Sequence, residues 1–554
     1  MHPPVQTSHD TTTETSPLLS NGKDVPDSGT VERGNTEFAN AADDDDDVPI
    51  AEEPSTAKLL LVMSSIWLGC FLAALDSTII ATLSAPISAS FNSLSLLSWL
   101  ASAYLIANAA LQPLSGRLTD ILSRRTGLIF SNVFFAAGNL ICGLAQEEWV
   151  MILGRVVAGM GGGGLTAIST FVGSDLVPLR KRGVWQGFGN ICYGVGAGLG
   201  GVFGGWINDT WGWRIAFVVQ VPLTVISGIM VYFTIHIPVK QTEESAWKRI
   251  DFLGAISLIT TLVLLFLGLN SGGNLVPWTH PLVLTTLPLS AVSLAIFIYI
   301  ESRIATEPVI PVKLLLNRTV LSACLTNWFT TMCVFSILFY GPIYFQVQGL
   351  STTQAGARLI PQSVGVGVGS VFSGLIMRWT GRYYFLSVGT QILFVGSGVM
   401  ISTFTLTTPD WEPFLAFFLA GIGYSGMLTI TLLALIAAVD HKDHSVITSA
   451  SYAFRSTGSA IGITIASTVF QNILKAELWS KFGDRKDAKE VIEKLRDSLD
   501  EIQHLPDSWK GEVMQVYMDA LRGVFLTTVG IAVLGFAISL LMREHTLHSN
   551  LARK

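Results

Sequence analysis

Long apolar runs, separated by short polar segments, occupy the chain from residue 59 onwards. A helix needs about 20 apolar residues to cross the core of a bilayer. Fourteen runs reach roughly that length. They lie at 59–83, 95–115, 127–145, 150–170, 184–207, 213–235, 252–270, 281–300, 320–347, 353–377, 384–405, 412–438, 446–473 and 521–542. The pattern therefore predicts an all-α polytopic membrane protein with fourteen transmembrane helices.

The distribution of Lys and Arg supports this count. If the N-terminus is cytosolic, every short cytosolic connection carries Lys or Arg, and the opposite short connections carry only Arg214 at an edge. This alternation is the positive-inside pattern, and an error of one span would break it. Both termini are therefore expected in the cytosol.

Three segments lie outside the predicted spans. Residues 1–57 and 546–554 are predicted cytosolic tails, and the longer one is polar, poor in aromatic residues and expected to be disordered. In the luminal loop 474–520, apolar residues recur at helical spacing among charged ones, which predicts an amphipathic helix on the non-cytosolic surface. Those apolar residues are Val491, Ile492, Leu495, Leu499 and Ile502.

A short motif in the first tail resembles a sorting signal. Glu14 precedes the pair Leu18-Leu19 by four residues, as in the dileucine signals that adaptor complexes bind. A chance match in a polar tail is an equally good interpretation.

Composition excludes several classes of function. The chain has 554 residues, of which 50% are hydrophobic and 13% charged, whereas soluble domains carry about 25% charged residues. The net charge of -6 comes largely from Asp43 to Asp47 in the tail, so no nucleic-acid partner is expected. All five cysteines lie in apolar runs and all nine histidines lie outside them, which argues against disulfides and a metal site. No nucleotide-binding or catalytic motif was found, so neither an enzyme nor a cofactor is expected.

The chain contains an internal repeat. Residues 116–127, between spans 2 and 3, read GRLTDILSRRTG, and residues 374–382, between spans 10 and 11, read GLIMRWTGR, a degraded copy. Repeated halves around a central site are typical of secondary transporters. We therefore predict six-helix halves at 58–235 and 319–545, joined by a linker at 236–318 that adds two central helices.

The first of these loops resembles the Gly-x-Leu-x-Asp-x-x-x-Arg-Arg signature of the major facilitator superfamily. Arg155 with Gly159 resembles a second signature of that family. The spacing of span 5 is similar to the family's antiporter motif, although Gly201 stands where the family usually has proline. The glycines that match are Gly187, Gly196, Gly200, Gly204 and Gly205.

Other stretches indicate a branch within the family. Residues 75–78 (LDST) and 211–222 resemble the fourteen-span drug:proton antiporters, and residues 99–120 are most similar to fungal vacuolar basic amino acid transporters. This resemblance implies a monomeric proton antiporter that moves basic amino acids from the cytosol into the vacuole. Two alternatives stay open: a plasma-membrane exporter of drugs or metabolites, and a nutrient receptor that does not transport.

Asp76 is the candidate coupling residue. Its carboxylate lies in the apolar run Leu59–Leu83, where burial costs roughly 2.5–3.5 kcal/mol, so a role in proton or ion coupling is expected. A hydrogen bond to a neighbouring helix is the plainer interpretation. Burial favours the protonated carboxyl and a nearby cation favours the charged one, so proton and cationic substrate could compete for it. By resemblance, Arg155 modulates this carboxylate; the alternative is an interfacial arginine.

Further polar residues have weaker assignments. By resemblance, Gly116, Asp120, Arg124 and Arg125 form a conformational latch on the cytosolic side. Arg358 and Arg455 lie near span ends and are expected to pack or to reach the interface. Five residues could line a central cavity or bond neighbouring helices: Asn108, Gln112, Asn190, Tyr193 and Asn327.

Overall fold

The computed structural model describes residues 55–91, 95–177, 179–236, 251–272, 276–305, 312–439, 444–483, 492, 495 and 507–545. Apart from one isolated bridge between Gly272 and Val276, all regular structure in these ranges is helical. The helices are α1 (Thr56–Phe91), α2 (Ser95–Leu122), α3 (Arg124–Leu144), α4 (Glu148–Leu176), α5 (Leu179–Trp211), α6 (Trp213–Val218), α7 (Gln220–Thr234), α8 (Phe252–Ser271), α9 (Pro281–Arg303), α10 (Val312–Leu315), α11 (Arg318–Val347), α12 (Thr352–Ala357), α13 (Ile360–Thr380), α14 (Tyr384–Ser402), α15 (Trp411–Ala438), α16 (His444–Phe482) and α17 (Asp507–Ser539).

The helices lie where the apolar runs predict them. In the described part of the chain, eleven helices are long and apolar enough to cross a membrane. The three other predicted spans correspond to α2, α5 and α16, which are 28, 33 and 39 residues long and carry several polar residues, with many glycines as well in α5. The all-helical membrane class is therefore established, and the count of fourteen spans stays a prediction.

The last helix differs from its predicted bounds. α17 begins at Asp507, fourteen residues before the apolar run at 521, and α16 continues to Phe482. The predicted loop 474–520 is thus helical at both ends. At the α17 end, Val513, Val516 and Tyr517 are buried on one face of the helix, with charged residues at other positions. The apolar run did not predict this extension of α17, because charged residues interrupt the apolar positions before residue 521.

Part of the amphipathic segment predicted within that loop is described. Ile492 and Leu495 are helical and buried, and the Tyr517 hydroxyl of α17 donates a hydrogen bond to the Leu495 carbonyl. This segment therefore packs against α17. The other predicted members, Val491, Leu499 and Ile502, lie outside the described residues, as do both predicted tails apart from residues 55–57.

The long helices pack as two bundles. In the first, α1 packs on α5, α4 packs on α2 and α3, and α3 packs on α7. In the second, α11 packs on α16 and α17, and α15 packs on α13 and α14. The bundles meet where α2 contacts α16 and where α5 contacts α12 and α13. The pair α8 and α9 lies beside the first of these contacts, because α8 packs on both α2 and α16.

Glycines on one face of α5 allow it to approach α1 closely. A Cβ atom on Gly200 would lie 2.1 Å from Oγ1 of Thr78, and one on Gly196 would lie 2.5 Å from the Phe71 carbonyl oxygen. Gly204 faces α1 as well, with Ile79 2.6 Å from its Cβ position. Any side chain at these positions would push the two helices apart.

A second glycine face of α5 meets the other bundle. A Cβ atom on Gly201 would lie 3.2 Å from Cα of Gly356, and one on Gly205 would lie 2.7 Å from the Thr353 nitrogen. At the end of α5, the Asp209 carboxylate accepts a hydrogen bond of 2.6 Å from the Thr353 hydroxyl. Gly201, which stands where the antiporter motif that α5 resembles usually has proline, thus lies at a contact between the bundles.

Candidate functional site

Asp76 and Arg155 form an ion pair inside the first bundle. Asp76 lies near the middle of α1, and Arg155 is the eighth residue of α4. Nη1 of Arg155 donates to Oδ2 of Asp76 over 2.8 Å, and the two side chains are 1% and 0% exposed. The structure therefore brings together the two residues that the sequence predicts to act as one unit.

Three more residues hold this ion pair. Nε of Arg155 donates to the Leu100 carbonyl over 3.1 Å, and its guanidinium lies 4.4 Å from the centre of the Tyr104 ring. The Gln220 amide contacts Oδ1 of Asp76 over 3.5 Å. Sequence reasoning missed Gln220, although a polar residue in the apolar run 213–235 was a usable signal.

A small cavity lies between the bundles, beside the ion pair. Its volume is about 30 Å³, enough for little more than a water molecule. It is lined by Ala73, Ser77, Tyr104, Leu105, Asn108, Gln112, Thr166, Tyr193, Phe335, Arg455, Ser456 and Ser459. Asp76 is not one of these residues. Tyr104 lines the cavity and also stacks on Arg155, so it connects the cavity wall to the ion pair.

The enclosure of Asp76 bears on the expected competition between proton and substrate. In this structure the carboxylate is fully buried, and its contacts are with Arg155 and Gln220. A substrate in the cavity would touch Tyr104 before it touched the carboxylate. Direct contact between substrate and Asp76 would therefore require a movement of the residues that enclose the carboxylate.

Asn108, Gln112 and Tyr193, which the sequence suggested as cavity residues, do line the cavity. Nε2 of Gln112 donates to Oγ1 of Thr166 over 3.1 Å, and the Ser456 hydroxyl donates to Oε1 of Gln112. The cavity wall is thus hydrogen-bonded from one bundle to the other.

The other two cavity candidates bond helices together. Nδ2 of Asn190 donates to Oγ of Ser370 over 3.2 Å, which links α5 to α13. Nδ2 of Asn327 donates to Oγ of Ser451 over 3.0 Å, which links α11 to α16. Both therefore fit the alternative, interhelical interpretation.

The two arginines of the second bundle differ. Arg358 packs as expected, since it forms a 2.6 Å ion pair with the exposed Asp410. For Arg455 the expected position near a span end is wrong: it lies about three turns inside α16, where it lines the cavity and packs on aromatic rings. The centres of the Tyr452 and Tyr193 rings lie 4.8 Å and 5.7 Å from its guanidinium carbon.

The described latch residues make contacts within the first bundle. Nε of Arg124 donates to Oδ2 of Asp175 over 3.0 Å. Arg125 stacks on the Tyr232 ring at 4.1 Å. The surroundings of Gly116 and the side chain of Asp120 lie outside the described part, as does the sorting motif Glu14, Leu18 and Leu19, so the latch and the signal stay predictions.

A comparison of the sequence with protein families identifies the family to which this helical fold belongs. The family profile described as Major Facilitator Superfamily matches residues 66–463. The chain belongs to the major facilitator superfamily. It is therefore a multi-pass membrane transporter and not an enzyme, as the sequence predicts.

The chain is similar to several proteins of yeasts. It is 38% identical over 498 residues to multidrug resistance protein fnx1 of Schizosaccharomyces pombe, covering 89% of this chain and 94% of the relative. It is 34% identical to vacuolar membrane amino acid uptake transporter fnx2 of the same yeast, covering 85% and 81%. It is 30% identical to vacuolar basic amino acid transporter 1 of Saccharomyces cerevisiae, covering 88% and 92%.

A solved structure supports the fold. The crystal structure of a bacterial homologue of the human lysosomal transporter Spinster, inward-facing and unoccupied, matches with a TM-score of 0.61. The match covers 88% of this chain and 97% of that protein at 15% identity. At this identity the likeness shows the major facilitator fold alone.

Proposed function

We propose that this major facilitator protein is a proton-coupled antiporter that moves basic amino acids from the cytosol into the vacuole. Two of its relatives are named as vacuolar amino acid transporters, at 34% and 30% identity. The buried Asp76–Arg155 ion pair beside the cavity is the observation that carries the proton-coupled part of the proposal.

The ion pair can couple proton binding to substrate binding. A proton on Asp76 removes the negative charge that holds the Arg155 guanidinium, so the ion pair opens. Because Arg155 stacks on Tyr104, the change reaches a residue of the cavity wall. Proton binding and substrate binding would thus oppose each other through Tyr104, without both ligands occupying one carboxylate.

This coupling gives transport a direction across an acidic vacuole. When the cavity opens to the lumen, the high proton concentration protonates Asp76, and the substrate leaves. When it opens to the cytosol, the proton leaves, the ion pair with Arg155 forms again, and a substrate binds. Each cycle therefore moves a proton out of the vacuole and a substrate into it.

Uptake into acid-inside proteoliposomes tests the proposal. Labelled arginine, lysine and histidine should accumulate with the wild-type protein, and an ionophore that collapses the proton gradient should abolish accumulation. Asp76→Asn should lose gradient-driven accumulation but keep exchange of labelled for unlabelled substrate, which needs no proton. Asp410→Asn is the matched control, because Asp410 is an exposed acid outside the cavity.

Two results would contradict the proposal in different ways. If the wild-type protein accumulates none of the three amino acids, the substrate class is wrong. If Asp76→Asn accumulates them as well as the wild-type protein does, Asp76 has no part in coupling.

A plasma-membrane exporter of drugs or metabolites is the second candidate. It is favoured by the 38% identity to a relative named as a multidrug resistance protein. A fluorescent fusion expressed in yeast separates the two locations. Vacuolar fluorescence that moves to the plasma membrane after Leu18→Ala and Leu19→Ala would also assign the predicted dileucine signal.

A further inference from the structure

Arg455 is a second charged residue at the centre of the protein, and the coupling scheme does not use it. It lies about three turns inside α16, where the helix packs against α2 of the other bundle. Its side chain belongs to the cavity wall, opposite Asn108 and Gln112 of α2. A charge at this depth is costly unless it has a partner, so the presence of Arg455 there calls for a function.

The surroundings of Arg455 are aromatic and not acidic. Among the described residues, no carboxylate lies within ion-pair distance of its guanidinium. Its contacts are the faces of Tyr452 at 4.8 Å and Tyr193 at 5.7 Å. Arg155 is the contrasting case, since it has Asp76 at 2.8 Å. Within the described part of the chain, the positive charge of Arg455 therefore has no carboxylate partner in the cavity.

A guanidinium is well suited to bind a carboxylate. Its planar N–H groups match the two oxygens of a carboxylate and can donate two parallel hydrogen bonds. Stacking on aromatic faces fixes the plane of the guanidinium without using those N–H groups. A carboxylate that entered the cavity would neutralise Arg455 and would leave the Asp76–Arg155 pair intact.

We propose that Arg455, positioned by Tyr452 and Tyr193, binds the carboxylate group of the substrate in the central cavity. This inference rests on the proposed function and deepens it, because it names the part of the amino acid that the transporter recognises. The positive groups of a basic amino acid would then meet the amide oxygens of Asn108 and Gln112. Recognition of the carboxylate separates amino acids from organic cations that lack one.

Pairs of substrates that differ only in the carboxylate test this assignment. Arginine and agmatine, lysine and cadaverine, and histidine and histamine are such pairs. The wild-type protein should bind and transport the amino acid in preference to the amine. Arg455→Gln should weaken arginine binding roughly tenfold or more, as expected for losing a charged hydrogen bond, and should leave agmatine binding unchanged or stronger. Arg455→Lys should retain part of the preference.

A matched control separates recognition from folding. Arg358→Gln removes an arginine of the same bundle that pairs with exposed Asp410, so it should leave the ratio of arginine to agmatine binding unchanged. If Arg455→Gln acted through a general structural effect, it would lower the affinity for arginine and the affinity for agmatine together. An unchanged ratio in Arg455→Gln, or a wild-type protein that binds both members of each pair alike, would overturn the assignment.

Binding to the purified protein, measured as thermal stabilisation without a gradient, distinguishes this inference from the proposed function. The panel also contains tryptophan with tryptamine and phenylalanine with phenethylamine. One outcome is that no basic amino acid binds, while tryptophan or phenylalanine binds better than the corresponding amine and Arg455→Gln removes that preference. The proposed substrate class is then wrong, and the carboxylate site at Arg455 is supported. If arginine is transported with no preference over agmatine, the function stands and the site fails. Equal stabilisation by sodium acetate would show a general anion site and overturn recognition of an amino acid.

Discussion

Removing the Asp76–Arg155 ion pair one partner at a time should reveal strong coupling between the two residues. The variants are Arg155→Met, Asp76→Asn and the double variant. Arg155→Met leaves a fully buried carboxylate whose described remaining contact is the 3.5 Å bond from Gln220. Leaving one member of a buried pair alone costs about 3–5 kcal/mol. Asp76→Asn should cost less, because Arg155 keeps the Leu100 carbonyl and the Tyr104 ring.

The double variant should be more stable than Arg155→Met. Replacing both charges leaves no unpaired ion, and such replacements are often neutral or stabilising by about 1–4 kcal/mol. The sum of the losses in unfolding free energy of the two single variants should therefore exceed the loss in the double variant by several kcal/mol. This comparison is informative because the residues are 79 positions apart in sequence and in direct contact.

Thermal unfolding of the detergent-purified proteins, followed by tryptophan fluorescence, measures the order of stability. The control cycle is Arg358→Met with Asp410→Asn, an exposed ion pair that should contribute about 0–1 kcal/mol. Additive effects in the Asp76–Arg155 cycle, with a double variant less stable than either single one, would refute the reasoning.

Two further substitutions test the packing around the site. Gly200→Val should reduce the yield of folded protein, because a Cβ atom there would lie 2.1 Å from the Thr78 hydroxyl oxygen. Gly187→Val should be tolerated, since no described atom of a packing neighbour lies within 4 Å of its Cβ position. Size-exclusion profiles of fluorescent fusions compare the yields of the two variants. Tyr104→Phe should keep coupled uptake, because it loses one hydrogen bond to a carbonyl, worth about 1 kcal/mol, and keeps the ring on Arg155. Tyr104→Leu should uncouple uptake from the proton gradient, and normal coupling in that variant would exclude Tyr104 as the link.

The apolar runs predicted where the long helices lie, because burial in lipid imposes length and composition on each span. The amphipathic start of α17 could not be found in this way, since charged residues interrupt the apolar positions that its buried face requires. A criterion based on helical periodicity would have extended the helix to Asp507.

The residues of the site were predicted unequally. Asp76 and Arg155 stood out because each is a charge in an apolar run. Arg358 and Arg455 looked alike in sequence, and only the fold distinguishes them: one meets exposed Asp410, and the other points between the bundles at Tyr452. Which face of a helix a residue occupies follows from packing with distant helices, which no local pattern records.

The small volume of the central cavity determines how ligand affinity will be observed. An amino acid needs several times the 30 Å³ of this cavity, so the helices that line it must move apart before one can bind. The free energy needed for that separation is subtracted from the intrinsic binding free energy, so the measured affinity is lower than the intrinsic one. An antibody fragment that wedges these helices apart should therefore tighten ligand binding without touching the ligand.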